Sequence, residues 1–337
     1  MIEGPCWVAA SGLVCSVGLY AAAACAAMRA GIIRHIELPY HNNSGEPIVG
    51  APVPGVPWSA QGADRLCILA SYAVREAVRS LPPTFGAVPI FLAVTRRGAA
   101  AQLLPMLEAQ TGIHFDMRRS RIIEGDNTAG HDALAQGWTQ MMSDQLPGCL
   151  VGAVDSLLNG QTLQQLAGKH RLKNAANSDG VVPGEGASCV LLTRRMPTAE
   201  DVPISLRGLG FSNETATPLS AAPLRGSGLL AAVEAALQQA GVQGDDIDLY
   251  LSDIAGERFA FKEHLLMRAR VVRQCHEKIP MWLCAESIGD IGAAAGLCQI
   301  VRAREAFRRG YAPGRLMLGC SSDLDTGRRA AVVLNGC

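Results

Sequence analysis

Aromatic residues make up only 5% of this 337-residue chain, and charged residues only 18%. Packing is therefore left to small and aliphatic side chains, which let helices lie close on sheets. Thirty basic residues are balanced by thirty acidic ones. A net charge of zero supplies no electrostatic footprint for nucleic acid or an anionic membrane, and it leaves little repulsion against self-association. The eleven cysteines include no CxxC pair, which argues against a disulfide framework. Most sit in apolar runs such as Ser188-Cys189-Val190-Leu191 and Leu297-Cys298-Gln299-Ile300, the setting of reduced core thiols in a cytosolic protein. No GxSxG, P-loop or Rossmann glycine pattern occurs. His35, His41, His114, His170, His264 and His276 show no metal-ligand spacing. No Lys or Arg precedes the uncharged run from Cys6 to Met28. That run is long enough to span a bilayer, yet it has no positive n-region, it is mostly Ala, Gly, Ser and Val, and Gly12 and Gly18 divide it. We expect a buried strand, a turn from Gly12 to Val17, a helix over Leu19 to Arg29, and a cytoplasmic protein.

What the chain has in quantity is apolar sequence, 49% of it. Runs of strand length occur at Val88–Val94, Cys149–Val154, Ala187–Leu192, Val202–Phe211, Ile247–Leu251, Arg315–Leu318 and Ala330–Leu334. Helical spacing occurs at Ala63–Leu81 before Pro82-Pro83, and at Leu103–Gln110, His131–Met142, Gly228–Ala240, Phe261–Arg270 and Gly292–Arg309. The prolines from Pro39 to Pro57 forbid a long helix between them. Strand-helix-strand units thus appear twice, and the halves, 1–200 and 201–337, meet near Pro197 to Val202. The alternation predicts an α/β fold with a mostly parallel sheet covered on both faces, in one compact unit.

Several stretches stand in a telling order. Ala10-Ser11-Gly12-Leu13-Val14-Cys15-Ser16-Val17-Gly18 opens the chain. Val151-Gly152-Ala153-Val154-Asp155-Ser156-Leu157 precedes Arg171-Leu172, Ser178-Asp179-Gly180 and Pro183-Gly184-Glu185-Gly186-Ala187. Ile204 to Ser212 and the helix before Asp246-Ile247-Asp248 follow, then Ser287-Ile288-Gly289-Asp290-Ile291-Gly292-Ala293-Ala294-Ala295-Gly296. This collinear set resembles the β-ketoacyl synthases of the thiolase-like superfamily. The resemblance implies a thiolase fold, with duplicated βαβαβ halves stacked as five α-β-α-β-α layers, and a dimer.

A condensing enzyme of that family needs a thiolate at a helix N-terminus, where backbone N–H groups lower its pKa. The matching stretch here is Asn127-Thr128-Ala129-Gly130-His131-Asp132, so Gly130 stands at the cysteine position, and no cysteine lies between Cys67 and Cys149. By the same resemblance Ala255 stands where the first histidine belongs, Asp290 where the second does, and Glu286 is nearest to the lysine. An ionised carboxylate cannot donate to an enolate oxygen and repels it. Without a nucleophile no acyl-enzyme forms. The family's Gly- and Phe-rich gate near the C-terminus is replaced by Ser321 to Gly327.

The expected function is therefore non-catalytic: a protein-binding scaffold or accessory subunit, as a homodimer or as a heterodimer with a related chain, with an acyl-CoA or acyl-carrier ligand as a second occupant. No cofactor or metal is implied. An adaptor of a bacterial secretion system such as type VI is another form of the same reading. The alternative is an active acyltransferase with a non-standard site around His131, Asp132 and Asp290. For His131-Asp132 the plainer account is a helix start with Asp at the positive dipole end. Asp132, Asp253, Glu257, Glu286 and Asp290 could converge on a metal or a cationic group; solvated or arginine-paired acids are the plainer account. Asp179-Gly180 and Glu185-Gly186 are expected to shape a turn and a strand entry. Arg96-Arg97-Gly98 could meet a phosphate, with a surface arginine pair as the simpler account.

Overall fold

The computed structural model describes residues 4–42, 44–79, 81, 86–96, 100–197, 202–273 and 279–336. Pro82-Pro83, Arg97-Gly98, His276 and residues 198–201 of the expected junction fall outside them. The uncharged opening run contains β1 (Cys6–Val14) and α1 (Ala21–Arg29). Among the described residues no helix is long and apolar enough to cross a membrane. Gly12 does not begin a turn: β1 continues through it. A Cβ there would stand 2.0 Å from the Ala73 carbonyl oxygen of α2 (Gly62–Val78), so this glycine permits close packing. The proline-rich segment carries a separate hairpin, β2 (Ile36–His41) with β3 (Pro47–Gly50).

Among the described residues ten strands form one sheet. The first half supplies β1, β4 (Ile90–Thr95), β5 (Arg121–Gly125), β6 (Gly148–Ser156) and β7 (Glu185–Thr193). The second supplies β8 (Ile204–Asn213), β9 (Leu249–Ser252), β10 (Met281–Leu283), β11 (Leu316–Ser322) and β12 (Arg328–Gly336). The spatial order is β1-β7-β6-β4-β5 in one half and β8-β12-β11-β9-β10 in the other. Pairing sense matches position by position: two antiparallel ladders, then two parallel ones. The halves join where β1 pairs antiparallel with β8, Val8 opposite Ile204.

The expectation of a mostly parallel sheet is thus corrected: its middle strands are antiparallel. Continuous apolar runs report burial on both faces, and here layering buries antiparallel strands as fully as parallel ones. Alternation along each strand builds those layers. Ile90, Leu92 and Val94 face a core with α2 and α3 (Leu103–Thr111), while Phe91 and Ala93 face α4 (Ala129–Ser143) and α9 (Ala295–Arg308). In the second half Leu249 and Leu251 share that central core, and Tyr250 turns outward to α6 (Ser227–Ala240) and α7 (Arg258–Val271). The five layers are α2/α3, the first half of the sheet, α4/α9, the second half of the sheet and α6/α7.

Glycine sets the spacing in the second half as in the first. A Cβ at Gly210 would lie 1.9 Å from the Ala232 carbonyl oxygen, and one at Gly208 2.1 Å from that of Ala236. Gly210→Ala must lift α6 off β8, so its expected cost is at the top of the ~1–3 kcal/mol range of overpacking. The urea midpoint measures it, and an unchanged midpoint would show that α6 yields freely.

Candidate functional site

The start of α4 is set by the turn Asp126-Asn127-Thr128 leaving β5. The Ala129 N–H donates to Asp126 O at 2.8 Å, and the Asp132 N–H to Thr128 O at 3.1 Å. Gly130 is buried in the first turn. A Cβ built there would lie 3.0 Å from Ala293 O and 3.3 Å from Leu297 N, so the position is closed by the 3-10 turn Gly292–Ala294 and by α9. Asp290 belongs to the same junction. Asn127 Nδ2 donates to its Oδ1 at 3.2 Å and the Gly292 N–H at 2.9 Å. Burial pushes the Asp290 carboxyl up, against the Gly292 amide and the Arg171 charge. Asp155, in β6, accepts from the Ala293 N–H at 3.0 Å and holds the turn from below.

Ala255 and Glu286 lie elsewhere. Both line a groove of about 670 Å³, together with Ile33, Val49, Lys173 and Phe261. Glu286, in α8 (Ala285–Ile288), is exposed, and Ile33 is 59% exposed at the rim. A second cavity of about 10 Å³ is lined by Ser252, Asp253, Cys284 and Asp290, and Ala285 lies in the walls of both. It has room for about one water. The four family-implied positions thus fall into two groups, Gly130 with Asp290 and Ala255 with Glu286.

His131 and Asp132 do not act on one another. His131 is fully buried with no hydrogen-bond partner at either ring nitrogen, and burial drives its pKa down to about 4. A Cβ on Gly296 would meet its Nδ1 at 2.5 Å, so the imidazole lies against the first turn of α9. The Asp132 carboxylate turns away to a two-point ion pair with Arg328, whose guanidinium sits over Phe211.

Glu257 and Asp253 also have partners. Glu257 is held by Arg171 through two bonds of 2.7 Å. Arg171 reaches Asp325 at 3.0 Å, and Asp325 takes Lys169 at 2.8 Å. Asp253 accepts from the Ser322 N–H at 2.9 Å, and burial pushes its carboxyl up. Among the described residues no three His, Cys, Asp or Glu side chains are grouped to hold a metal. Asp179 accepts from Arg258 at 2.7 Å, and Arg96 lies 3.7 Å from Asp126. Glu185 is sealed at 0% exposure, where it takes Arg65 at 2.6 and 2.7 Å, the Val53 N–H at 2.9 Å and Ser156 Oγ at 2.8 Å. That is a structural junction fixing strand entry.

Sequence reasoning missed the arginines that answer Asp132 and Glu185, namely Arg328 and Arg65. Arg65 carried a usable signal, because Leu69, one turn on, puts it on the apolar face of the amphipathic helix. Another buried pair also had no motif. Ser252 Oγ lies 2.9 Å from His264 Nε2, while His264 Nδ1 donates to Ala260 O at 3.1 Å. The assignment follows from the carbonyl, which can only accept.

No protein-family model matches the chain, and no curated protein matches it. Solved structures do. A chain of the complex between a ketosynthase and its chain length factor from Xenorhabdus doucetiae is similar over 99% of this chain and 98% of its own, at 15% identity and a TM-score of 0.76. The ishigamide ketosynthase/chain length factor is similar over 99% of each chain, at 20% identity and a TM-score of 0.72. An oxazolomycin ketosynthase domain of Streptomyces albus JA3453 reaches a TM-score of 0.80 at 14% identity, covering 99% of this chain and 74% of that one. With the duplicated half-sheets and the five layers already described, these likenesses identify the architecture: the chain has the thiolase fold of the ketosynthases.

Proposed function

We propose that this chain is a non-catalytic ketosynthase-fold protein that works as the partner subunit of a related chain, with residues 1–200 and 201–337 acting as one unit. One observation carries the reading. The start of α4, where the family resemblance puts a reactive cysteine, holds Gly130 packed against Ala293 and Leu297. No thiol can be presented there, and the adjacent imidazole is sealed without a partner. Ala255, Glu286 and Asp290 likewise supply no neutral donor for an enolate oxygen. Two of the similar structures are, by name, ketosynthases with their chain length factors, which favours a heterodimer over an isolated enzyme. The groove beside Ala255 and Glu286 is then the place for an acyl or carrier ligand. Nothing in the similar structures points to a secretion system.

The test is direct. The purified chain is incubated with malonyl and acyl thioesters while carbon dioxide and free thiol are followed, and no release above buffer is expected. Co-expressed with the ketosynthase-type chain encoded nearest to it, it should elute as a one-to-one complex. Turnover that disappears in His131→Ala would overturn the reading and restore the acyltransferase alternative.

A further inference from the structure

The groove beside Ala255 and Glu286 has an apolar length and one basic corner. Met28, Ile254 and Leu283 line it as buried side chains, and Ile33, Val49 and Phe261 line it as open ones, 59%, 38% and 36% exposed. Large apolar side chains left facing water around one concavity mark a place that an apolar molecule covers. The volume of about 670 Å³ falls in the range of about 300–1,000 Å³ typical of small-molecule sites.

The basic corner is built by His35, ahead of β2, and by Lys173 and Asn174, in the segment ahead of β7. The Lys173 N–H donates to Val181 O at 2.9 Å, which fixes the backbone there. The Asn174 side-chain oxygen accepts from the Ala176 and Asn177 N–H groups at 2.9 and 2.8 Å, so its NH2 group is the part left to a ligand. Lys173 is exposed, and among the described residues no carboxylate lies within ion-pairing distance of its ammonium. Burial and the Lys173 charge both lower the His35 pKa, so the ring is neutral at pH 7 and Lys173 supplies the charge. An ammonium and an amide NH2 are donors only, and the group that answers both is an anion with two acceptor oxygens. Glu286, the one acid in the lining, repels such a group and fixes which way round it enters.

We propose that this groove binds a long-chain carboxylic acid, with its carboxylate on the Lys173 ammonium and the Asn174 amide and its chain laid along Val49, Phe261 and Leu283. The inference rests on the reading of the groove as an acyl site and adds that the occupant is a free acid. A thioester carbonyl is neutral and gives the ammonium no charge to answer.

The test titrates decanoate and decan-1-ol separately into the full chain at pH 8, by calorimetry at low salt. Decanoate should bind roughly tenfold more tightly than the alcohol, and added sodium chloride should weaken decanoate alone. Lys173→Met, at an exposed position, should remove that preference and leave the alcohol unchanged, while Lys173→Arg keeps it. Phe261→Ser should weaken both ligands, because both lay an alkyl chain on the same wall. Equal binding of decanoate and decan-1-ol would overturn the carboxylate assignment and leave the acyl site standing. Binding of neither would remove the acyl-site reading and this inference with it. Decanoyl-coenzyme A bound more tightly than decanoate, with the difference lost in Lys173→Met, would put a phosphate on Lys173 and overturn the free-acid assignment.

Discussion

Arg329→Met should cost about 3–5 kcal/mol, the usual penalty for stranding a buried charge, and lower the melting temperature by on the order of 10 °C. Arg329 and Glu263 are both 0% exposed and meet at 2.9 Å. Arg329 reaches from β12 to α7, and its Nη1 also holds the Asp323 carbonyl at 2.8 Å. Burial already pushes the Glu263 carboxyl up, with Arg329 and Ser322 pulling it down. Without the guanidinium the folded-state pKa rises further above the unfolded one. A group raised in this way favours the fold at low pH and loses that contribution as pH rises through its folded pKa. The variant's deficit should therefore be larger at pH 8 than at pH 5. Arg329→Met/Glu263→Leu should recover much of it, since replacing both partners removes the unpaired charge. Urea melts at the two pH values check both statements. A deficit that does not change with pH would mean that Glu263 finds another partner.

His131→Leu should make the protein less sensitive to acid. The wild-type imidazole titrates near 4 in the fold, against about 6.5 when unfolded. For a base whose folded pKa is depressed, the unfolded state binds the extra proton, so stability falls as pH drops from about 6.5 towards 4. The loss from this one group is about 2 kcal/mol at pH 5 and approaches about 3 kcal/mol below pH 4. His264, also depressed to about 4, adds a similar slope, and the raised Asp253, Asp290 and Glu263 oppose it. Those contributions are common to both proteins and cancel in the difference. The leucine variant should thus gain on wild type by about 2 kcal/mol between pH 7.5 and pH 5, and also lose the cost of two unpaired nitrogens. Parallel stability curves would show that the ring is solvated or already paired.

Arg329 carries no motif, and the stretch around His131 does not reveal that its ring is sealed without a partner, which says where sequence reading stops. Helices with a long apolar stripe were legible almost to the residue: Leu103–Gln110 against α3 at Leu103–Thr111, and Gly228–Ala240 against α6 at Ser227–Ala240. Buried strands were legible as well, but β5 and β10 were not. Arg121-Ile122-Ile123-Glu124-Gly125 has two apolar residues between charges, and Met281-Trp282-Leu283 is three residues long. Both lie at the outer edges of the sheet, where one neighbour and partial exposure demand little of the sequence. Helix α5 (Gly160–Gly168) was missed for a similar reason, since only Thr162, Leu163 and Leu166 of it are buried.

The candidate site divides in the same way. That Gly130 offers no nucleophile is a property of composition, because a position without sulfur cannot form a thioester whatever surrounds it. Local order also sets the helices, the buried strands and the doubled alternation, since each depends on periodicities of a few residues. Strand direction, the sealing of His131, the choice of Arg328 by Asp132 and of Arg65 by Glu185, and the meeting of Cys284 with Arg302 depend on folding. Each joins residues brought together by packing, and a lone Asp, His or Cys reads the same in the chain whether its partner is an arginine or nothing.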